Sequence, residues 1–137
     1  MIRPLIHDRL LLSLPSSPAG REDADSIQDL KDTLEHYRET CAGMAANMIG
    51  VRKNIIAVHA QNRCFILINA KITAKKGPYT ASEGCLSYTG GPTETVRYRE
   101  ITAEYETEAF EKKKQVFTGF TAEVIQHELD HVKGILI

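Results

Sequence analysis

His127-Glu128-Leu129-Asp130-His131 constrains this chain more than any other stretch. Two histidines four residues apart share one face of a helix and lie one turn apart. Both imidazoles then reach a single cation, so the segment has to be helical and its face has to meet a polar site. Glu128 stands beside the first histidine, placed to take a proton from a water at that cation. Val124, Ile125, Leu129 and Val132 are apolar and bury the helix in the core. Two imidazoles and an acid in such surroundings need partners, because an unsatisfied buried polar group costs about 1–3 kcal/mol. The helix is expected from about Thr121 to Lys133, with Glu123 in its first turn, Lys133 in its last and Gly134 as the stop.

A catalytic metal of this type takes a third protein ligand and keeps one open position. In many HExxH peptidases that ligand lies downstream. Here Val132, Lys133, Gly134, Ile135, Leu136 and Ile137 follow, and none is a credible side-chain ligand, so the third is expected upstream. The candidates are Cys41, Cys64, Cys85, His7, His36 and His59. Cys41 falls on an apolar helical stripe and Cys64 in a β-rich run, so both read as buried small hydrophobes. Cys85 lies in Ser82-Glu83-Gly84-Cys85-Leu86-Ser87, with Gly90-Gly91 soon after, a small-residue segment whose backbone can come close to a metal. A thiolate ligand at Cys85 accounts for the cysteine and both histidines together. A cysteine-protease nucleophile at Cys85 is the alternative.

The remainder of the chain supplies a frame. Its 137 residues fit one domain, residues 1–137, with one hydrophobic core. Lys and Arg number 17 against 18 Asp and Glu, so no basic excess points to nucleic acid. Three cysteines do not make a disulfide scaffold, and a reducing compartment is expected. No apolar run reaches the ~20 residues of a membrane span, and Leu10-Leu11-Leu12, broken by Ser13 and Pro15, is too short for a signal-peptide core. Ile27, Leu30, Leu34, Tyr37 and Cys41 mark one face of a helix that opens at Asp23, Asp25 and Ser26 and stops at Gly43. Asn54–His59 and Arg63–Ile68 read as a hairpin around Ala60-Gln61-Asn62, and Thr95–Arg99 and Ile101–Tyr105 as further strands. Ala109-Phe110 and Val116-Phe117 are expected to flank a solvated turn, Glu111–Lys114. Strands first and a helix last imply an α+β fold with antiparallel sheet around the C-terminal helix.

Three motifs together resemble the peptide deformylase family. His127–His131 reads HELDH, followed by Val-Lys-Gly; Glu83–Ser87 reads EGCLS; Cys41–Met48 reads CAGMAANM, with Gly50 following. The first two match the family's HExDH and EGCLS, and the last resembles its GφGφAAxQ. The resemblance covers most of the chain up to Gly134. Two positions depart from it: the family's motif-one glutamine falls on Met48, and its first glycine on Cys41. Methionine has no hydrogen-bond donor. Asn47 carries the right amide on a shorter arm. Bacterial members usually continue past the metal helix for another element, whereas this sequence ends at Ile137.

The resemblance implies one divalent metal, Fe²⁺ in the cell with Zn²⁺ or Ni²⁺ able to replace it, held by Cys85, His127 and His131. It implies Glu128 as the proton carrier, the Leu86 N–H as oxyanion donor, and Gly43, Met44, Ala45, Met48, Glu83 and Gly84 along the substrate cleft. The substrate would be an N-formyl-methionyl peptide, the product end of protein synthesis, met in the cytoplasm by a monomer. Neither nucleic acid nor membrane is expected as a partner. Ile125 and Leu129 serve the core or a methionine pocket, Leu129 rather the core. Three other readings remain: a relative that binds metal and peptide but turns over poorly, favoured by Met48; a hydrolase of another formamide; and a structural Cys-His-His site. The last leaves Glu128 without a role.

Overall fold

The computed structural model describes residues 1–84 and 92–136. A five-stranded antiparallel sheet runs in the order β1 (Gly43–Ala45), β2 (Ile55–Ala60), β3 (Arg63–Glu83), β4 (Thr93–Glu106) and β5 (Lys112–Thr118). Helix α1 (Arg9–Leu12) is a single turn, α2 (Ala24–His36) packs on β2 and β3, and α3 (Gly119–Val132) packs on β1, β2 and β4. The core forms between the sheet and the two longer helices from Ile27, Leu30, Leu34, Ile55–Val58, Ile66–Ile68, Ile101, Ala103, Ile125 and Leu129. Among the described residues, no helix is long and apolar enough to cross a membrane.

Local chemistry explains most boundaries. Gln61 and Asn62 both take positive φ, 53° and 61°, which gives the β2–β3 hairpin the tight turn whose twist suits paired strands. The pairing Ala60↔Arg63 leaves those two residues as the loop. Beyond Ile68 the β3–β4 register shifts twice, and Asn69 adopts φ 52°. Its amide there donates to the Ala19 carbonyl and Glu106 while its oxygen accepts from the Ala19 N–H. The irregularity therefore turns the second half of β3, a mostly exposed run, without stranding backbone groups.

Three sequence expectations are corrected. Helix α2 ends at His36, with Tyr37 capping it, so Cys41 lies past the helix and Gly43 begins a strand. Cys41 and Cys64 are half-buried rather than buried. The Lys112–Lys114 run is strand, not turn: Lys112 faces Glu106 and Lys114 faces Glu104 across the ladder, and such opposite-charge pairs favour the sheet. The turn falls earlier, at Thr107–Phe110, where Phe110 takes φ 61° and the Phe110 N–H donates to the Thr107 carbonyl.

Helix α3 is fixed at its middle and at its C-terminal end. The Gln126 side chain accepts from the Tyr98 N–H at 2.9 Å and donates to the Tyr98 carbonyl at 2.8 Å, so its amide pairs with β4 as a further strand residue would. Asn47 donates to the His131 carbonyl at 2.8 Å, and the Ser16 N–H to that of Val132 at 2.8 Å. Gly134 follows with φ 82°, and a Cβ there would meet the Ser13 carbonyl oxygen at 2.3 Å. Replacing Gln126 by leucine removes both Tyr98 partners, and each group left unsatisfied costs about 1–3 kcal/mol. Gln126→Leu is expected to lower the denaturant midpoint clearly with an unchanged m-value, whereas an unaltered midpoint would show that the clamp is dispensable.

Candidate metal centre

The histidine face of α3 converges as the i, i+4 spacing requires. His127 Nε2 and His131 Nε2 lie 3.1 Å apart, and ligand atoms of His127, Glu128 and His131 all fall within 4.8 Å of one another. All three residues are buried. The His127 Nδ1–H donates to Glu83 Oε1 at 2.8 Å. Glu83 in turn accepts from Arg97, with Nε at 3.0 and 3.1 Å and Nη2 at 2.7 Å, and Arg97 Nη1 donates to Asp130 Oδ2 at 2.6 Å. One arginine from β4 thus joins the end of β3 to α3.

These contacts set the protonation states. Burial alone would raise the Glu83 carboxyl, but the hydrogen bonds from His127 and Arg97 outweigh it and hold Glu83 at about 2. An ionised Glu83 only accepts, so His127 carries its proton on Nδ1 and turns a lone pair on Nε2 toward His131. Burial above all, helped by the nearby Arg97 charge, pushes His131 down to about 3, so it too is neutral. Burial pushes Glu128 up to about 7, into the range of a proton carrier at neutral pH.

The donor set fits a divalent metal. Two neutral imidazoles point nitrogen atoms at one spot, a carboxylate supports the first from behind, and His131 Nδ1 and Glu128 Oε1 are buried without a hydrogen-bond partner among the described residues. Cys85 and Leu86, expected as third ligand and oxyanion donor, lie outside the described residues.

The centre opens on a cleft of about 420 Å³ lined by one wall from Thr40 to Gly43 with Met48, one from Ser82 to Gly84, and α3 from Phe120 to Glu128. Gly43, Met48, Glu83 and Gly84, expected along the cleft, line it. Met44 and Ala45, expected there too, do not line it: their side chains are fully buried in the core. Gly43 faces the helix so closely that a Cβ would sit 2.5 Å from Val124 Cγ1 and 3.0 Å from Glu128 Cγ. Met48 Sδ accepts from the Ala45 N–H at 3.4 Å, and Asn47, committed to the His131 carbonyl, does not reach the cleft. Ile125 and Leu129 are core.

Sequence reasoning placed Glu83 in the cleft and missed its role behind His127. It also missed Arg97, Asp130, Gln126 and the cleft residue Glu123. A signal for Arg97 exists: Arg97, Ile101, Ala103 and Tyr105 are the buried positions of β4, so an arginine stands on the inward face of an alternating strand. A buried arginine calls for a buried carboxylate.

An α+β fold with an HExxH helix beneath a cleft defines the chain as a metal-hydrolase type of protein. The family model for polypeptide deformylase matches residues 11–137. The chain is 47% identical over all 137 residues to a peptide deformylase of Clostridium beijerinckii, covering 100% of both chains. It is 34% identical to one from Aquifex aeolicus over 98% of this chain and 85% of that one. The crystal structure of a Thermotoga maritima peptide deformylase superposes with a TM-score of 0.88 at 26% identity, covering 99% of this chain and 94% of that chain. The protein therefore belongs to the polypeptide deformylase family, whose members are metal-dependent hydrolases.

Removing the carboxylate behind a metal-bound histidine typically costs about 10–100-fold in affinity. Glu83→Gln is expected to weaken metal binding by that order in a chelator competition, at a temperature where its circular dichroism matches wild type. Equal affinities would show that His127 needs no anionic partner.

Proposed function

We propose that this protein removes the N-formyl group from the methionyl end of newly made polypeptides, with Cys85, His127 and His131 holding one divalent metal. The observation that carries the reading is the convergence of His127 and His131 Nε2 at 3.1 Å beside buried Glu128, on the wall of an open cleft. Fe²⁺ is the proposed cellular metal, with Zn²⁺ or Ni²⁺ able to replace it. The Cys85 thiolate beside Fe²⁺ would make the protein sensitive to oxygen. The work is placed in the cytoplasm, where formylated chains emerge.

When bound, the metal polarises the formyl carbonyl and acidifies a water. Glu128 takes a proton from that water and passes it to the leaving amine, a task suited to a carboxyl raised to about 7. A C–O bond forms, the formyl C–N bond breaks, and the products are formate and a free amino terminus. The Leu86 N–H would hold the charge that develops on the carbonyl oxygen. Glu83 keeps His127 in the tautomer that presents Nε2.

A second reading, a relative that binds but turns over poorly, is favoured by Met48, whose thioether lines the cleft without a donor. One experiment separates the two: hydrolysis of a formyl-Met peptide by anaerobically purified protein loaded with Fe²⁺ or Ni²⁺. Turnover is expected, falling about 10²–10⁴-fold in Glu128→Ala while metal stays at one equivalent. One equivalent of metal with no turnover in the wild type would favour the binder. Restoring an oxyanion donor is worth up to about 10²-fold, so Met48→Gln is expected to raise kcat/KM. An unchanged rate would mean that the backbone donor suffices.

A further inference from the structure

Phe120, Glu123, Val124, His127 and Glu128 recur along α3 at steps of three and four, and all five line the cleft. From His127 and Glu128 the stripe continues along the cleft wall to Phe120, Glu123 and Val124, which a first side chain laid along it would meet. Two of those three are apolar; the third is a carboxyl. Glu123 Oε1 accepts from the Tyr79 hydroxyl at 2.9 Å.

Glu83 is claimed by Arg97 and His127 and stays ionised. Burial and the nearby Glu83 carboxylate raise the Glu123 carboxyl above its ordinary value. Tyr79 gives its hydrogen to Glu123 Oε1. The other Glu123 oxygen, on the cleft wall, keeps lone pairs that ask for a donor on whatever fills the cleft.

We propose that Glu123, backed by Tyr79, is a specificity-determining residue that admits first side chains bearing an N–H donor. N-formyl residues with an amide or ammonium group would then be substrates alongside formyl-methionine. The inference rests on the deformylase reading of the cleft. A group built to bond a substrate polar atom discriminates far more strongly than an apolar wall of the same size.

The test compares formyl-Met, formyl-norleucyl and formyl-glutaminyl peptides of otherwise identical sequence on the metal-loaded wild type, Glu123→Gln and Glu123→Leu. The three side chains have similar length and differ in their polar atoms. Wild-type kcat/KM for the glutaminyl peptide is expected within about tenfold of the norleucyl one. Glu123→Leu should shift that ratio at least about tenfold toward norleucine, and Glu123→Gln should keep most of the wild-type ratio. An unshifted ratio in Glu123→Leu overturns the proposal. So does an equal loss on all three peptides accompanied by weaker metal binding, which would make Glu123 only a support for Glu83. Dissociation constants of the corresponding deformylated peptides read the same ratio without turnover. A wild type that binds them with that ratio but hydrolyses nothing would overturn the deformylase reading and leave the selectivity standing.

Discussion

The buried ion pair between Glu83 and Arg97 organises the rest of the molecule. It stands where the end of β3, the inner face of β4 and the histidine face of α3 meet, with only 5% and 6% of the two side chains exposed. Removing both charges from water costs several kcal/mol per ion, and their attraction offsets this only with near-complete hydrogen bonding. That condition is met: Arg97 spends three nitrogens on Glu83 and Asp130, and Glu83 also accepts from His127. A leucine–methionine pair of like volume could stabilise the fold as well. It could not fix the His127 tautomer or hold α3 at one rotation about its axis. The pair is better understood as specifying the site than as strengthening the protein.

The same packing limits where α3 can sit. Gly43 lets β1 approach to within contact of Val124 and Glu128, so the sheet edge closes over the acid and excludes water from one side of it. Gln126, on the neighbouring stripe, pairs with the Tyr98 backbone and sets the helix height along β4. Backbone approach at one point and amide pairing at another leave the helix little freedom to slide or roll. The two imidazoles are therefore brought together by helix spacing and packing alone among the described residues.

The elements legible in the sequence are those with a strong local signal. The HELDH helix, the α2 stripe through Ile27, Leu30 and Leu34, and the Gln61-Asn62 hairpin each state their structure within a dozen residues. The second half of β3 does not, because Lys71–Lys76 are largely polar and Gly77-Pro78 resembles a break. Its strand character comes from pairing with β4, a partner some 10 to 33 residues away, and no local pattern encodes that register. The lysines of β5 mislead for the same reason: Glu104 and Glu106 opposite them make a charged run into a strand. In the site, motif spacing locates His127, Glu128 and His131. What stays hidden is Met44 and Ala45 turning inward, and Glu83 backing a histidine as well as lining the cleft. Both depend on tertiary placement.

Burial moves the two ionisable groups of the centre in opposite directions and for one reason. His131 falls to about 3 and Glu128 rises to about 7, each toward its neutral form, because a low-dielectric pocket penalises either sign of charge. A neutral imidazole is the ligand form, and a carboxyl near neutrality is the form that can both take and return a proton. The compensating charge lies just outside, where Arg97 serves two carboxylates, Glu83 and Asp130, and so leaves a net negative surround. Neutral nitrogen donors inside a net anionic shell attract a divalent cation without binding competing protons, so the burial that prepares the acid also prepares the ligands.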